Sequence, residues 1–287
     1  MATKRERQRQ LAREAHQRRM ERRADRARRE RRWAVSIVAA VIVLAVGFGA
    51  AAIAGVFSTP KSSAAASASS SASASASASP SATSAMVGGK CIYTAGGAAA
   101  RKVSLPAATP DTKATYKATI TTNRGTIVID LANSGAPCTV NSFVSLASQK
   151  FFNSTPCQRL TTAPNSYYVL QCGDPTGKGT GGPGYEFYTE NLASLKTATA
   201  SGTTEALYPA GTVAMANSGS ADSNGSQFFL VYKNTELPPS YTPFGTIASG
   251  LDVIQNVAKA GSTNSNAQGD GAPKEKVQIE RVTITKT

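Results

Sequence analysis

The residues best placed to do chemistry lie in the stretch Gly211–Phe229, which reads GTVAMANSGSADSNGSQFF. A strand of small residues is predicted at 213–216 and a second, more apolar strand at 227–232. The loop between them is rich in Asn, Ser and Gly, and such a loop can offer amide side chains and backbone groups to an extended peptide. The stretch therefore predicts a peptide-binding site.

Several kinds of catalytic chemistry are excluded by residue type. The only histidine, His16, lies in a charged N-terminal segment, so the folded part has no Ser-His-Asp triad, Cys-His pair or His-ligated zinc. The four cysteines, Cys91, Cys138, Cys157 and Cys172, form no C-x-x-C pair. Metal-binding and thioredoxin-like functions are therefore disfavoured, and we expect no metal and no cofactor.

The formal charge of +14 is concentrated at the N-terminus. Residues 1–32 hold 14 Lys/Arg and 5 Asp/Glu, a net +9, and the remaining residues hold 31 − 14 = 17 basic and 17 − 5 = 12 acidic ones, a net +5. Nucleic-acid binding by the main domain is not indicated. The basic tail is compatible with a solvated cytoplasmic segment, a patch on anionic lipid or a nucleic-acid arm.

Residues 33–57 form an uncharged apolar run that predicts a transmembrane helix. A buried core helix and a cleavable signal peptide are the alternatives, and the length of the run disfavours both. Because the basic tail precedes the run, the positive-inside rule predicts a cytoplasmic N-terminus and an extracytoplasmic C-terminal part. We expect a single-pass protein of the cell membrane.

The rest of the chain divides into a linker and one domain. Residues 58–112 are predicted to be a flexible Ser/Ala-rich tether that ends in an irregular extension. The domain covers 113–287 and begins with a predicted hairpin of strands at 116–122 and 125–131. Further predicted strands and two helices, one beginning at Pro137 and one at 251–259, favour a mainly β fold, a closed antiparallel barrel with a helix at each end.

Several sequence blocks in the domain resemble the cyclophilins, which are peptidyl-prolyl cis-trans isomerases. Their order and approximate spacing match over residues 115–287. The resemblance is greatest to the membrane-anchored actinobacterial cyclophilins, and it implies an eight-stranded closed antiparallel β-barrel capped by two helices. The blocks are CQRL (157–160), LQCGD (170–174), GTGGPGYEF (179–187), VAMANSG (213–219), NGSQFFLVY (224–232) and YTPFGTI (241–247).

The resemblance also implies roles for individual residues. It assigns the catalytic arginine to Arg159, with Gln171, Asn217 and Phe229 as the other catalytic positions. Binding of a proline-containing polypeptide falls to residues that grip the peptide backbone or line the proline pocket. The implied substrate-binding positions are Tyr168, Val169, Ala216, Gln227, Leu237 and Tyr241.

The chain departs from the family pattern at several points. Cys157 and Gln158 stand where the family has Phe-His, and Tyr241 stands where it has a histidine. The segment between Arg159 and Gln171 is about four residues longer than usual. No tryptophan occurs beyond Trp33, which puts tight cyclosporin binding in doubt but not isomerase activity.

An extracytoplasmic domain would fold under oxidising conditions, where disulfides persist. A Cys157–Cys172 bridge is plausible because the two residues lie at the outer ends of successive predicted strands. Cys138–Cys157 and Cys91–Cys138 are alternatives, and the sequence does not choose between them.

The expected function is isomerisation of X-Pro bonds during the folding of secreted or envelope proteins. A binding module that holds Pro-containing segments and a structural envelope protein are the alternatives. Arg159 favours the enzyme, since a protein that only binds does not need this residue.

Overall fold

The computed structural model describes residues 85–165, 167–198 and 205–287. The predicted basic tail, membrane span and Ser/Ala-rich part of the linker lie outside these ranges. Within them, no helix is both long and apolar enough to cross a membrane. The described part is mainly β with two α-helices, as predicted. The helices are α1 (Pro137–Ser148) and α2 (Leu251–Ala260), with a 3-10 turn at Leu192–Ser194.

Seventeen strands, many of them only two or three residues long, make up the rest of the regular structure in these ranges. They are β1 (Met86–Val87), β2 (Lys90–Cys91), β3 (Thr94–Ala95), β4 (Tyr116–Thr122), β5 (Gly125–Leu131), β6 (Thr155–Pro156), β7 (Arg159–Thr161), β8 (Val169–Cys172), β9 (Tyr185–Glu186), β10 (Lys196–Thr197), β11 (Ala206–Tyr208), β12 (Thr212–Met215), β13 (Phe228–Val231), β14 (Thr235–Leu237), β15 (Pro243–Ser249), β16 (Asp270–Gly271) and β17 (Gln278–Lys286).

Ten of the strands form one antiparallel sheet in the order β16-β7-β8-β13-β12-β15-β5-β4-β17-β6. Eight strands were expected. The difference arises because Cys157 and Gln158 interrupt what is otherwise one strand, β6 and β7, and because β16 is a two-residue addition. A separate three-stranded sheet has the order β10-β11-β14, and Leu237 is the last residue of β14.

The main core lies on one face of the large sheet. Strands β4 and β5 pair from Tyr116↔Leu131 to Thr122↔Gly125, and their alternate side chains are buried, as a half-buried strand requires. Helix α1 packs on this face through Val140, Phe143 and Leu146. The Phe143 ring contacts Phe228 of β13 at 5.5 Å between centroids, which ties the helix to the sheet.

Strand β13 is buried on both faces of the sheet. Phe228 and Leu230 belong to the main core, whereas Phe229 and Val231 belong to a second apolar cluster. Because successive side chains of a strand point to opposite faces, this cluster lies on the face away from the main core. We call it the outer cluster. Its buried members are Val169, Ala206, Tyr208, Ala214, Phe229 and Val231, with Leu195, Ala216, Leu237 and Tyr241 packed against it.

Residues 85–112 pack against the sheet and α1. Strand β3 pairs with β9, and Cys91 forms a disulfide with Cys138 in the first turn of α1. Arg101 donates hydrogen bonds to the carbonyls of Phe151 and Asn153. The second disulfide joins Cys157 to Cys172, so of the pairings considered from the sequence Cys138–Cys157 does not form.

Candidate active site

Four residues form a row across adjacent strands of the large sheet. Arg159 of β7 pairs with Gln171 of β8, Gln171 pairs with Phe229 of β13, and Phe229 pairs with Ala214 of β12. Directly paired residues of neighbouring strands place their side chains on the same face. Because Phe229 and Ala214 lie in the outer cluster, Arg159 and Gln171 border this cluster too. The pairing brings together residues about seventy positions apart in the chain.

The Arg159 guanidinium is fixed by an acidic residue that the sequence did not single out. Its Nε donates to Asp270 Oδ1 at 2.9 Å, and its Nη2 donates to Asp270 Oδ2 at 2.7 Å. Nη2 also lies 3.4 Å from the Tyr167 hydroxyl oxygen. The Arg159 side chain is 34% exposed and that of Asp270 only 9%. The ion pair therefore keeps a partly accessible cation at the edge of the outer cluster.

Both members of this pair have shifted pKa values. The hydrogen bond to Asp270 raises the pKa of Arg159, although burial opposes the shift. Burial alone would raise the pKa of Asp270, but hydrogen bonds from Arg159 and Asn266 outweigh it and lower the pKa. The site thus holds an arginine that stays charged and a carboxylate that stays ionised at neutral pH.

Amide side chains form a second group beside the arginine. Gln227 Oε1 accepts hydrogen bonds of 2.9 Å from Gln171 Nε2 and from Gln158 Nε2. Gln227 Nε2 donates to the carbonyl of Gly181 at 3.0 Å. Arg159 Nη1 lies 3.5 Å from Gln171 Oε1, at the outer limit of a hydrogen bond. Gln227 therefore orients Gln171 and links the arginine to the glycine-rich loop, residues 173–186.

The outer cluster provides an apolar surface next to the guanidinium. The Phe229 ring lies 5.5 Å from that of Tyr241, centroid to centroid, in an edge-to-face arrangement. Tyr208 supports both rings at 6.3 and 6.4 Å, and its hydroxyl donates to the Tyr241 carbonyl. Val169 and Leu237 complete the cluster. An apolar ring of a ligand could rest here within reach of a charged donor.

Ala216 and Asn217 follow β12 at the border of the same surface. The Ala216 N–H donates to the Gln227 carbonyl at 2.9 Å, which holds the backbone in an extended course. Asn217 Nδ2 donates to the Ser240 carbonyl, and Asn217 Oδ1 accepts from the Gly219 N–H. The Asn217 side chain therefore braces its own loop, and its backbone is the part that can meet a peptide.

Tyr168 is the one predicted site residue that lies apart from the others. It packs against the main core rather than the outer cluster. Its ring lies 5.9 Å from that of Tyr232, and Lys233 Nζ is 4.5 Å from its centroid. Because Tyr168 precedes Val169 in an extended segment, the two side chains point to opposite faces, and only Val169 faces the pocket.

A cavity of about 440 Å³ opens on the other side of the amide group. It is large enough for side chains of a bound peptide. Gln171, Ala216, Asn217 and Gln227 contribute to its lining, together with residues 179–186 of the glycine-rich loop. Gly97 and Ala98 of the N-terminal extension form part of the wall as well. The amide group thus separates an apolar surface from a more polar cavity.

Two residues of the site, Asp270 and Tyr167, were missed in the sequence. Asp270 lies between two glycines in a polar loop, and Tyr167 lies in the lengthened segment between β7 and β8. A lone Asp in a polar loop is usually solvated, so only its burial beside Arg159 distinguishes it. Among the residues that the structure describes, no group of three or more His, Cys, Asp or Glu could hold a metal ion.

Comparison with known proteins identifies relatives for most of the domain. The family model for cyclophilin type peptidyl-prolyl cis-trans isomerase/CLD matches residues 117–284. The chain is 47% identical over 206 residues to the probable peptidyl-prolyl cis-trans isomerase B of Mycobacterium tuberculosis, which covers 70% of this chain and 66% of the relative. For the protein of the same name from Mycobacterium leprae, the identity is 48% over 197 residues, 65% of this chain and 63% of the relative.

The aligned part spans slightly less than two thirds of the length of these curated relatives. Among solved structures, a Cryptosporidium parvum cyclophilin type peptidyl-prolyl cis-trans isomerase is similar at a TM-score of 0.48 and 25% identity. The match covers 60% of this chain and 98% of that chain. Since the family model alone accounts for more than half of the 287 residues, the chain belongs to the cyclophilin-type peptidyl-prolyl cis-trans isomerase family.

Proposed function

We propose that the protein catalyses rotation about X-Pro peptide bonds in polypeptides. The observation that carries the proposal is the row Arg159–Gln171–Phe229, which sets a charged donor, an amide and an apolar ring side by side. This reaction needs no nucleophile, metal or general base. It needs an apolar site that binds the proline ring, hydrogen bonds that hold the flanking backbone and a donor directed at the rotating amide.

The arginine acts on the barrier itself. Rotation about a peptide C–N bond faces a barrier of ~18–20 kcal/mol because of amide resonance. In the twisted state the proline nitrogen becomes pyramidal and basic, so a hydrogen bond to this nitrogen stabilises the twisted state more than the planar one. Arg159 remains charged throughout and can donate this bond while holding the neighbouring carbonyl.

The remaining residues bind the substrate. Phe229 forms the base of the site that binds the proline ring, and Val169, Leu237 and Tyr241 form its sides. Gln171 and the backbone of 216–217 grip the peptide as an added extended segment. Side chains that precede the proline enter the cavity beside Gln227.

The test of the catalytic role is Arg159→Ala in the purified protein. We expect kcat/KM for cis–trans exchange of an Ala-Pro tetrapeptide to fall about 100-fold, the usual effect of losing one preorganised donor. Arg124→Ala is the matched control, because Arg124 forms an exposed ion pair with Glu275 on the hairpin turn. Wild-type rates in Arg159→Ala, with an unchanged circular dichroism spectrum, would contradict a catalytic role for this residue.

The proposed architecture includes a closed barrel. Strand β6 is at one end of the sheet order, and β7 is next to the other end, inside the two-residue strand β16. Only two residues separate β6 from β7 in the chain, and the Cys157 N–H donates to the Val277 carbonyl next to β17. Closure at this point would hold Arg159 on a continuous sheet. Slow amide hydrogen exchange through 155–161 would support closure, and fast exchange there would contradict it.

The proposed location is the outer side of a cell membrane. The apolar run at 33–57 would anchor the protein, and the domain would assist folding of secreted or envelope proteins. Both disulfides fit an oxidising compartment. Protease added to intact cells should release the domain, and complete protection of the domain would refute this topology.

A further inference from the structure

Asp270 holds the guanidinium of Arg159 in a defined orientation. Its two carboxylate oxygens accept from Nε and Nη2 at 2.9 and 2.7 Å, the bidentate geometry in which an arginine has least freedom. Without this contact, a side chain that is 34% exposed would rotate among several conformers. The carboxylate is 9% exposed, so it is screened from water far better than a surface partner would be.

The backbone geometry around Asp270 fixes the position of this carboxylate. Strand β16 pairs with β7, with Asp270 opposite Thr161, so Arg159 is its diagonal neighbour two residues along the same face. The preceding Gly269 has φ +74°, and a Cβ there would lie 2.6 Å from the Thr162 carbonyl oxygen. A Cβ on Gly271 would lie 2.6 Å from the Ser265 nitrogen. Only glycine fits on either side of Asp270.

A second polar residue, Asn266, also orients the Asp270 carboxylate. Asn266 Nδ2 donates to Asp270 Oδ1 at 3.1 Å, and the Asn266 N–H donates to the Asp270 carbonyl at 3.0 Å. Oδ1 therefore accepts from Arg159 and Asn266 together. The pair is part of a network rather than an isolated surface contact.

The contact also decides which nitrogen of Arg159 meets the substrate. Asp270 accepts from Nε and Nη2, and Nη2 also has the Tyr167 hydroxyl oxygen at 3.4 Å, whereas Nη1 has only the 3.5 Å contact with Gln171 Oε1. Nη1 is thus the group with a donor left for the prolyl amide. We propose that Asp270 is a positioning residue, which fixes the arginine so that Nη1 points over the outer cluster. This inference rests on the catalytic role proposed for Arg159.

The test is Asp270→Asn in the full chain, with kcat and KM measured for the Ala-Pro tetrapeptide by NMR exchange. Asparagine keeps the shape but turns one acceptor into a donor facing the guanidinium. We expect kcat to fall about tenfold, as small misplacements of a catalytic group do, with KM nearly unchanged because the site that binds the proline ring is intact. Asp130→Asn is the matched control, since Asp130 pairs with Lys117 on an exposed strand face.

A double-mutant cycle separates positioning from a purely structural role. If Asp270 acts through Arg159, Asp270→Asn should not lower the residual rate of Arg159→Ala any further. An equal tenfold loss in both backgrounds, or wild-type kcat in Asp270→Asn, would overturn the inference. If Arg159→Ala itself has no effect, the proposed function of Arg159 fails, which is a distinct outcome.

Asn266→Ala provides the same test if Asp270→Asn does not fold. It leaves the ion pair in place but removes the bond that orients Oδ1. We expect a loss in kcat of about threefold in the wild-type background and none beside Arg159→Ala. Unchanged kcat would overturn the inference.

Discussion

Gln227 is the residue on which the amide group of the site depends. Its Oε1 accepts from two glutamines and its Nε2 donates to the glycine-rich loop, so one side chain connects the residue before β7, strand β8 and the cavity wall. Its own position is set by β13, where it immediately precedes Phe228. The side chain need not touch the substrate to matter, because it holds Gln171 beside Arg159.

Gln227→Ala should lower kcat/KM about tenfold by releasing Gln171 from its acceptor. The amides of Gln171 and Gln158 would lose their partner and turn towards solvent. Steady-state exchange kinetics measure the effect, and Gln278→Ala on the exposed side of β17 is the control. Equal rates in the two variants would show that the network has no influence on the reaction.

At the scale of single residues, the sequence predicts which residues belong to the site better than it predicts which of them are in contact. Arg159, Gln171 and Phe229 were recognised because they lie in blocks that resemble a family, and the strand register places them in one row. Asp270 lies 111 residues from Arg159 in the chain and no local pattern connects them. Tyr168 was placed in the pocket, although strand alternation turns it towards the main core.

Among the elements, the glycine-rich loop has more order than its sequence suggests. The pattern GTGGPG predicts only tight turns. In the structure the loop wraps the buried carboxylate of Asp174, which accepts from the N–H groups of Thr176, Gly179 and Thr180 at 2.7 to 3.1 Å. Burial by itself would raise the pKa of Asp174, but hydrogen bonds from Gly181, Thr176 and Gly179 outweigh it and lower the pKa. The loop therefore forms around an anion.

Gly181→Ala tests how closely the loop packs on the Asp174 carboxylate. An added Cβ would lie 2.0 Å from Asp174 Oδ1, so the carboxylate and its hydrogen bonds must shift. We expect a loss of about 1–3 kcal/mol in the free energy of unfolding, measured with urea. Gly182→Ala is the control, because nothing lies within 4 Å of its added Cβ. Equal stability of both variants would contradict the packing argument.

Local patterns predict the long elements well and the short ones poorly. The alternating segments 116–122 and 125–131 became β4 and β5 with the predicted bounds, since alternation and a tight turn are local properties. Helix α1 begins at Pro137 as predicted, but its first N–H groups are capped by Glu190 from another loop. Two-residue strands such as β3 and β16 exist only through distant partners, so no local signal marks them.

At the scale of the whole molecule, the folded part that the structure describes includes residues 85–112, which precede the first block that resembles the family. These residues were predicted to be the end of the linker and an irregular extension before a domain at 113–287. In the structure they are joined to that domain by a strand pair, a disulfide and the contacts of Arg101. The Tyr93 ring packs edge-to-face on Tyr185 and Phe187. The extension also reaches the cavity through Gly97 and Ala98. It is thus a structural part of the site.

The Cys91–Cys138 bridge fixes this extension and should contribute to global stability. It closes a loop of 47 residues, whereas Cys157–Cys172 closes one of 15. Chain entropy predicts that replacing Cys91 and Cys138 by Ser lowers the free energy of unfolding by about 4 kcal/mol. Urea unfolding of the oxidised protein and the double variant measures this loss.

The Cys157–Cys172 bridge should affect activity as well as stability, because it flanks Arg159 and Gln171. Replacing Cys157 and Cys172 by Ser should destabilise the protein by about 3 kcal/mol and lower kcat/KM as well, since β7 and β8 carry the catalytic row. The Cys91/Cys138 variant should keep its kcat, because it leaves that row untouched. Loss of kcat in the Cys91/Cys138 variant alone would mean that the extension, rather than the β7–β8 pair, sets the geometry of the arginine.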